Sequence, residues 1–166
     1  MRVAYLLLIL LLPHISSAVK PSVIEIRDFY YKAPHCREAA IAFLHLMNNA
    51  DAESSAILLG YKGVANMIMA HYYYNPYSKL TCFMKGREMI EKSVRSDPEN
   101  VEIRFLRFCV QSNAPYFLGY NHEIQQDKMV ILKNWSKIQD QDLKQRIREY
   151  MLASNGCTSK EKMILT

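Results

Sequence analysis

From Ser54 to Tyr74 the chain is apolar on nearly every side, and that stretch limits the available folds more than any other. A helix that is apolar all round is at home only at the centre of a larger assembly. Lys62 and Asn66, four residues apart, give it one narrow polar stripe, and Gly60, Gly63 and Ala70 form a strip of small residues. Each glycine costs about 1 kcal/mol relative to alanine inside a helix. A neighbouring backbone packed close against the strip is the expected compensation.

The flanking segments read as the helices that cover this one. Val23 to Tyr31 forms a short helix. After Pro34, Ala40, Phe43, Leu44 and Met47 recur at i, i+3, i+4 and i+7 in a second helix that Asn48, Asn49 and Asp51 close. Asn75-Pro76 breaks the chain, and Ser78 is the expected cap of a helix through Val94 with Leu80, Phe83, Ile90 and Val94 inward. Asn100 is placed to cap the next helix, to Gln111. Arg104, Arg107 and Gln111 share one side of its wheel and apolar residues cover most of the rest, so it reads as a second central helix. Beyond the loop Ser112 to Tyr120, Asn121 is the expected cap of a helix carrying Ile124, Ile131, Leu132 and Trp135. Gln141 to Ala153 then forms a last amphipathic helix, ended by Asn155-Gly156. The expected fold is all-α, a compact bundle of six or seven helices without strands.

The first eighteen residues follow a different logic. Arg2, the apolar run Val3 to Leu12, and then Pro13 and Ser16-Ser17-Ala18 have the three-part build of a secretory signal peptide. About ten apolar residues are too few to span a bilayer. The expected division is therefore a signal peptide over 1–18, a helical domain over 19–156 and a loose polar tail over 157–166, in an exported protein, periplasmic or secreted. No transmembrane segment is expected in the mature chain. Removing 18 of the 166 residues leaves 148, enough for one sizeable core.

The formal charge of +5 falls to +4 without Arg2. A scattered excess of this size keeps a domain soluble, or favours an acidic surface or lipid headgroups. No basic run resembles a nucleic-acid footprint. Cys36, Cys82, Cys109 and Cys157 include no CxxC pair, and export leaves their three possible disulfide connectivities open. Cys82 and Cys109 sit in apolar helical patterns that favour buried thiols.

Counting back from Pro98, Ser93, Ile90 and Gly86 stand five, eight and twelve residues earlier. A small residue, a large apolar one, a second small one and a closing proline resemble the second helix of a tetratricopeptide repeat, with Ile57 to Tyr73 as its partner. The connection from Asn75 to Ser78 is longer than such a repeat has, and neither neighbouring helix pair keeps the pattern. The stretch from Asn100 to Phe108, with Asn113-Ala-Pro and Phe117-Leu-Gly-Tyr, is also similar to small exported helical proteins of Bacteroidota-type bacteria. These resemblances imply a helical fold with a helix-turn-helix pair and an exported home, and bring no activity.

Glu102 is the carboxylate of most interest, since it lies opposite the arginine stripe among apolar side chains. Beside an arginine such as Arg87 it would act as an acid or base or anchor a ligand. In the first turn of its helix it is equally a partner for the helix dipole. His35, His45, His71 and His122 show no HxxxH or HExxH spacing, so no metal or other cofactor is expected, and no nucleophile or nucleotide-binding motif stands out. The string from His71 to Tyr77 offers Tyr72, Tyr74 and Tyr77 as large rings with polar tips. They would either cover the end of the bundle or meet a partner.

The resulting expectation is a non-enzymatic interaction or scaffold module of the cell envelope, holding a protein partner through Tyr72, Tyr74, Tyr77, Arg104 and Arg107. The alternative is a small-ligand pocket near the 112–120 loop, lined by Glu102, Asn113, Tyr116 and Tyr120. An enzyme is the third possibility.

Overall fold

The computed structural model describes residues 21–52 and 55–166; the stretch 1–18 expected to be a signal peptide lies outside the described residues. The described residues form eight α-helices and no strand: α1 Val23–Lys32, α2 Arg37–Asn49, α3 Ala56–Tyr72, α4 Pro76–Ser96, α5 Val101–Asn113, α6 Ile124–Asn134, α7 Gln141–Ala153 and α8 Ser159–Ile164. Helix α3 is buried along most of its length, as its composition requires. Its expected polar stripe does not reach solvent as a stripe. Asn66 is buried and donates to the Lys62 carbonyl at 2.8 Å.

The small residues set the contact between α3 and α4. Gly60 faces Ser93, and Gly63 faces both Gly86 and Ile90, so the two helices run antiparallel with their backbones nearly touching. The Ser93 hydroxyl donates to the Ala56 carbonyl in the first turn of α3 at 2.6 Å, a further tie between the two helices. Helix α5 returns antiparallel to α4, and Arg107 reaches Glu91 at 2.8 Å. Its apolar positions serve two cores. Ile103 and Leu106 join Phe43, Tyr61, Val64 and Ile90, while Phe105, Phe108 and Cys109 join Ile131, Trp135, Ile147 and Met151.

Local chemistry moves several boundaries from their expected places. Asn75, not Ser78, caps α4 by accepting from the Tyr77 amide, because Pro76 suits the first helical position. Asn100 caps α5 through the amides of Glu102 and Ile103. Helix α6 begins at Ile124, later than an Asn121 cap would give, and the buried Gln111 side chain accepts from the Glu123 amide. Helix α7 ends on an extended Ser154, and Gly119 alone among the described residues takes a positive φ, so the Asn155-Gly156 ending is not of the left-handed kind.

The tail is docked, contrary to the expectation of a loose end. Thr158 and Glu161 form a capping box at the start of α8, and Glu161 also pairs with the buried Lys128 ammonium at 3.0 Å. Leu165 is fully buried in the second core, and its carbonyl accepts from Arg148 at 2.8 Å. This tail supplies the eighth helix. No helix among the described residues is long and apolar enough to cross a membrane.

Candidate functional site

Glu102 is buried, as its wheel position implies, but its partner is Arg27 of α1 and not Arg87. The Arg27 guanidinium donates through Nε to Oε1 at 2.7 Å and through a terminal nitrogen to Oε2 at 2.8 Å. Tyr61 of α3 donates to the same Oε1 at 2.6 Å. The other face of Arg27 meets Asp140 at 2.8 Å and Asp142 at 2.9 Å, and Arg146 continues the chain from Asp142 to Asp28. The guanidinium thus ties α1, α5 and α7, and Glu102 brings in α3 through Tyr61. Asp140 both caps α7 and pairs with Arg27, and that pairing holds its carboxyl below the usual carboxylate range. Burial opposes the charge of Asp142, yet hydrogen bonds from Arg146 and Arg27 outweigh it and lower its carboxyl too. Arg87 lies instead over the Tyr120 ring, 4.9 Å from its centre.

Arg104 and Arg107 do not reach a partner-facing surface. Both are buried, converging on Asp127 of α6, whose side chain has no exposure. Arg104 donates to Asp127 at 2.9 Å and to the Pro98 carbonyl at 2.7 Å. Arg107 binds both oxygens of Asp127, at 2.8 and 2.7 Å, and Glu91 at 2.8 Å. Charges taken out of water in this way need each other, so the two arginines join α4, α5 and α6 and offer no outward cation.

The quartet Glu102, Asn113, Tyr116 and Tyr120 does not form a pocket. Glu102 is turned to α1 and α3. Asn113 binds the Cys109 carbonyl and the Tyr150 hydroxyl, Tyr116 stands in solvent, and Tyr120 is buried with its hydroxyl on Glu91 at 2.7 Å. Burial and the Glu91 carboxylate push the Tyr120 phenol well up. An open cleft of about 380 Å³ does run over Arg27, Glu102 and Asp140, with Asn134 and Lys137 on its rim. Every nitrogen of its buried arginine is already engaged within the protein. Among the described residues no group of three His, Cys, Asp or Glu side chains could hold a metal ion.

The tyrosine string divides by position. The Tyr72 hydroxyl donates to the Ala33 carbonyl at 2.9 Å and pins the α1–α2 corner to the end of α3. Tyr74 is 100% exposed and Tyr77 78%. The alternating helix directions put the α3–α4 turn and the Ala114–Glu123 connection at the same end of the molecule. There the short turn Tyr116–Leu118 holds out Tyr116, 87% exposed, and Phe117, 83% exposed. Leu80, on the first turns of α4, is also exposed. Composition singled out Tyr74 and Tyr77. It missed Phe117, whose exposure depends on a loop bent by Pro115 and by Gly119 at φ 57°. This aromatic end is the candidate site. No family model, curated protein or solved structure matches the chain.

Proposed function

We propose that this protein is a non-catalytic docking module: an exported helical scaffold of the cell envelope that engages a macromolecular partner through its aromatic end. The observation that carries this reading is the contrast between buried charges that pair with one another and a tip of unpartnered rings. The interior arginines and carboxylates are paired, while Tyr74, Tyr77, Tyr116 and Phe117 stand out at 78–100% exposure. Rings of this size contribute most when buried against a partner. The leader-like start of the chain supports the exported setting. The close pairing of α3 and α4 through Gly60, Gly63, Gly86 and Ser93 supports retaining the tetratricopeptide-like description as part of this proposal. Fold-level likeness alone assigns no activity.

Retention in the envelope tests it. The wild type is compared with a Tyr74→Ser, Tyr77→Ser, Phe117→Ser variant after cell fractionation, with circular dichroism confirming that the variant is folded. The expected result is release of the folded variant into the soluble fraction. Equal retention of both proteins overturns the assignment of this end as the docking surface.

A further inference from the structure

We infer that the aromatic end docks on an anionic lipid surface, with its exposed rings entering the headgroup region and its lysines and arginine facing lipid phosphates. This inference rests on the docking reading above and names the partner. Three turns meet at this end: the α1–α2 corner, the α3–α4 turn and the α5–α6 connection, the first tied to the second by Tyr72 and Ala33. The tip they form carries separated rings on projecting turns. Neither the cleft over Arg27 nor the one along Met84, Glu88 and Glu91 of α4 is lined by Tyr74, Tyr77, Tyr116 or Phe117. Peptide recognition in its common modes uses a groove or a sheet edge, and the rings stand outside both of these clefts. A plane meets several projecting tips at once.

The side chains fit such a plane by type and by charge. Tyrosine places an apolar ring at the membrane interface with its hydroxyl in water, and Phe117 adds a ring with no polar tip. Around them Lys32, Arg37, Lys79 and Lys85 are exposed. Against these four cations stand the exposed carboxylates Glu38 and Glu149, with Glu88 one turn further along α4. Two of the cations, Lys79 and Lys85, lie on the same helix as Tyr77 and Leu80. Four cations against three carboxylates leave a small positive excess at the end that carries the exposed rings. Apolar insertion and phosphate attraction each give marginal adhesion, and together they hold a peripheral protein reversibly.

Vesicle co-sedimentation of the purified exported protein tests this directly, using phosphatidylcholine vesicles with and without 30% phosphatidylglycerol at roughly 0.1 M salt. Binding is expected only with the anionic lipid, falling at high salt. A Lys79→Gln, Lys85→Gln variant should bind roughly 25-fold more weakly, about fivefold for each lysine near the surface. The Tyr74→Ser, Tyr77→Ser, Phe117→Ser variant should lose binding at unchanged melting temperature. Free inorganic phosphate at equal concentration should not compete, which separates a lipid surface from a phosphate site. Equal binding to both vesicle types, or no binding to either, overturns the lipid assignment. If vesicles fail while envelope retention still depends on the rings and is abolished by protease treatment of the envelopes, docking stands and its partner is a protein. If retention is also indifferent to the rings, both readings fall.

Discussion

Arg27 and Glu102 stand 75 residues apart in sequence and meet in two parallel hydrogen bonds of 2.7 and 2.8 Å, with both side chains almost wholly buried. The paired geometry matches a planar guanidinium to a planar carboxylate. Its consequence for stability is asymmetric. Arg27→Met strands the Glu102 carboxylate in the interior with only Tyr61 as donor, and should lose roughly 3–5 kcal/mol. Adding Glu102→Leu to the same chain should recover at least half of that loss, since buried pairs are often replaceable by apolar side chains. Urea titration of the two variants checks it. A single variant within about 1 kcal/mol of wild type would show that the pair behaves like a solvent-exposed one.

Acid should loosen the same junction from its outer side. Asp140 and Asp142 have folded-state values below the ordinary 3.8, and Glu161 has one below 4.5. For Asp142 and Glu161 burial works the other way and is outweighed, by arginine hydrogen bonds in one and by the Thr158 amide and Lys128 in the other. A lowered carboxylate contributes stability that is complete above its unfolded-state value and disappears as pH falls through its folded-state value. Melting temperature should therefore be flat from neutral pH to about 5 and fall below pH 4. Asp142→Asn should be less stable at neutral pH and show a shallower acid limb. An acid limb as steep as the wild type's would remove Asp142 from the account.

The glycines of the α3–α4 contact allow a sharper test, because helix propensity and packing pull in opposite directions. A Cβ at Gly63 would stand 2.7 Å from the Gly86 carbonyl oxygen and 2.8 Å from Ile90 Cγ1. One at Gly86 would stand 2.5 Å from the Gly63 carbonyl oxygen. At Gly60 the nearest atom is the Ser93 hydroxyl at 3.0 Å, the end of a small side chain. Alanine gains about 1 kcal/mol of helix propensity at each site, whereas overpacking against backbone costs typically 1–3 kcal/mol. Gly63→Ala and Gly86→Ala should lower the melting temperature by several degrees, and Gly60→Ala should move it least. Thermal melts of the three variants decide the order, and a stabilising Gly63→Ala would mean that the helices separate more easily than their contact suggests.

That contact is legible in the sequence, since glycine and serine at helical spacing on two neighbouring segments point to close approach. The caps at Asn100 and the centrality of α3 and α5 were legible for similar local reasons. What sequence reading missed depended on partners far along the chain. Arg104, Arg107 and Gln111 share a wheel face, and a polar face normally meets solvent. Here Asp127, twenty residues beyond Arg107, turns that face inward. Glu102 was correctly placed inside, but nothing local distinguished Arg27 from Arg87 as its partner. The tail looked polar because Lys160, Glu161 and Lys162 dominate it, yet Leu165 and the Lys128–Glu161 pair decide where it lies. The aromatic end was half visible: tyrosines announce themselves by density, whereas Phe117 becomes prominent only through the fold.

The four cysteines occupy different environments and are linked by no disulfide, which predicts an order of reactivity. Cys36 is exposed at the start of α2, and Cys82 is partly covered. Cys109 lies in the second core, where burial pushes its thiol up to about 12 despite hydrogen bonds with Tyr30 and Tyr150. Cys157 is buried in the same core and is also raised by burial. At pH 8 the Cys109 thiol is ionised in only about one molecule in ten thousand, and the thiolate is the species that reacts. Labelling with a maleimide should therefore modify Cys36 first, Cys82 next, and Cys109 only as the protein opens. Mass spectrometry after timed labelling gives the order, and Cys36→Ser should abolish the fastest phase. Early modification of Cys109 would contradict the packing of Phe105, Phe108 and Tyr150 around it, and with it the second core.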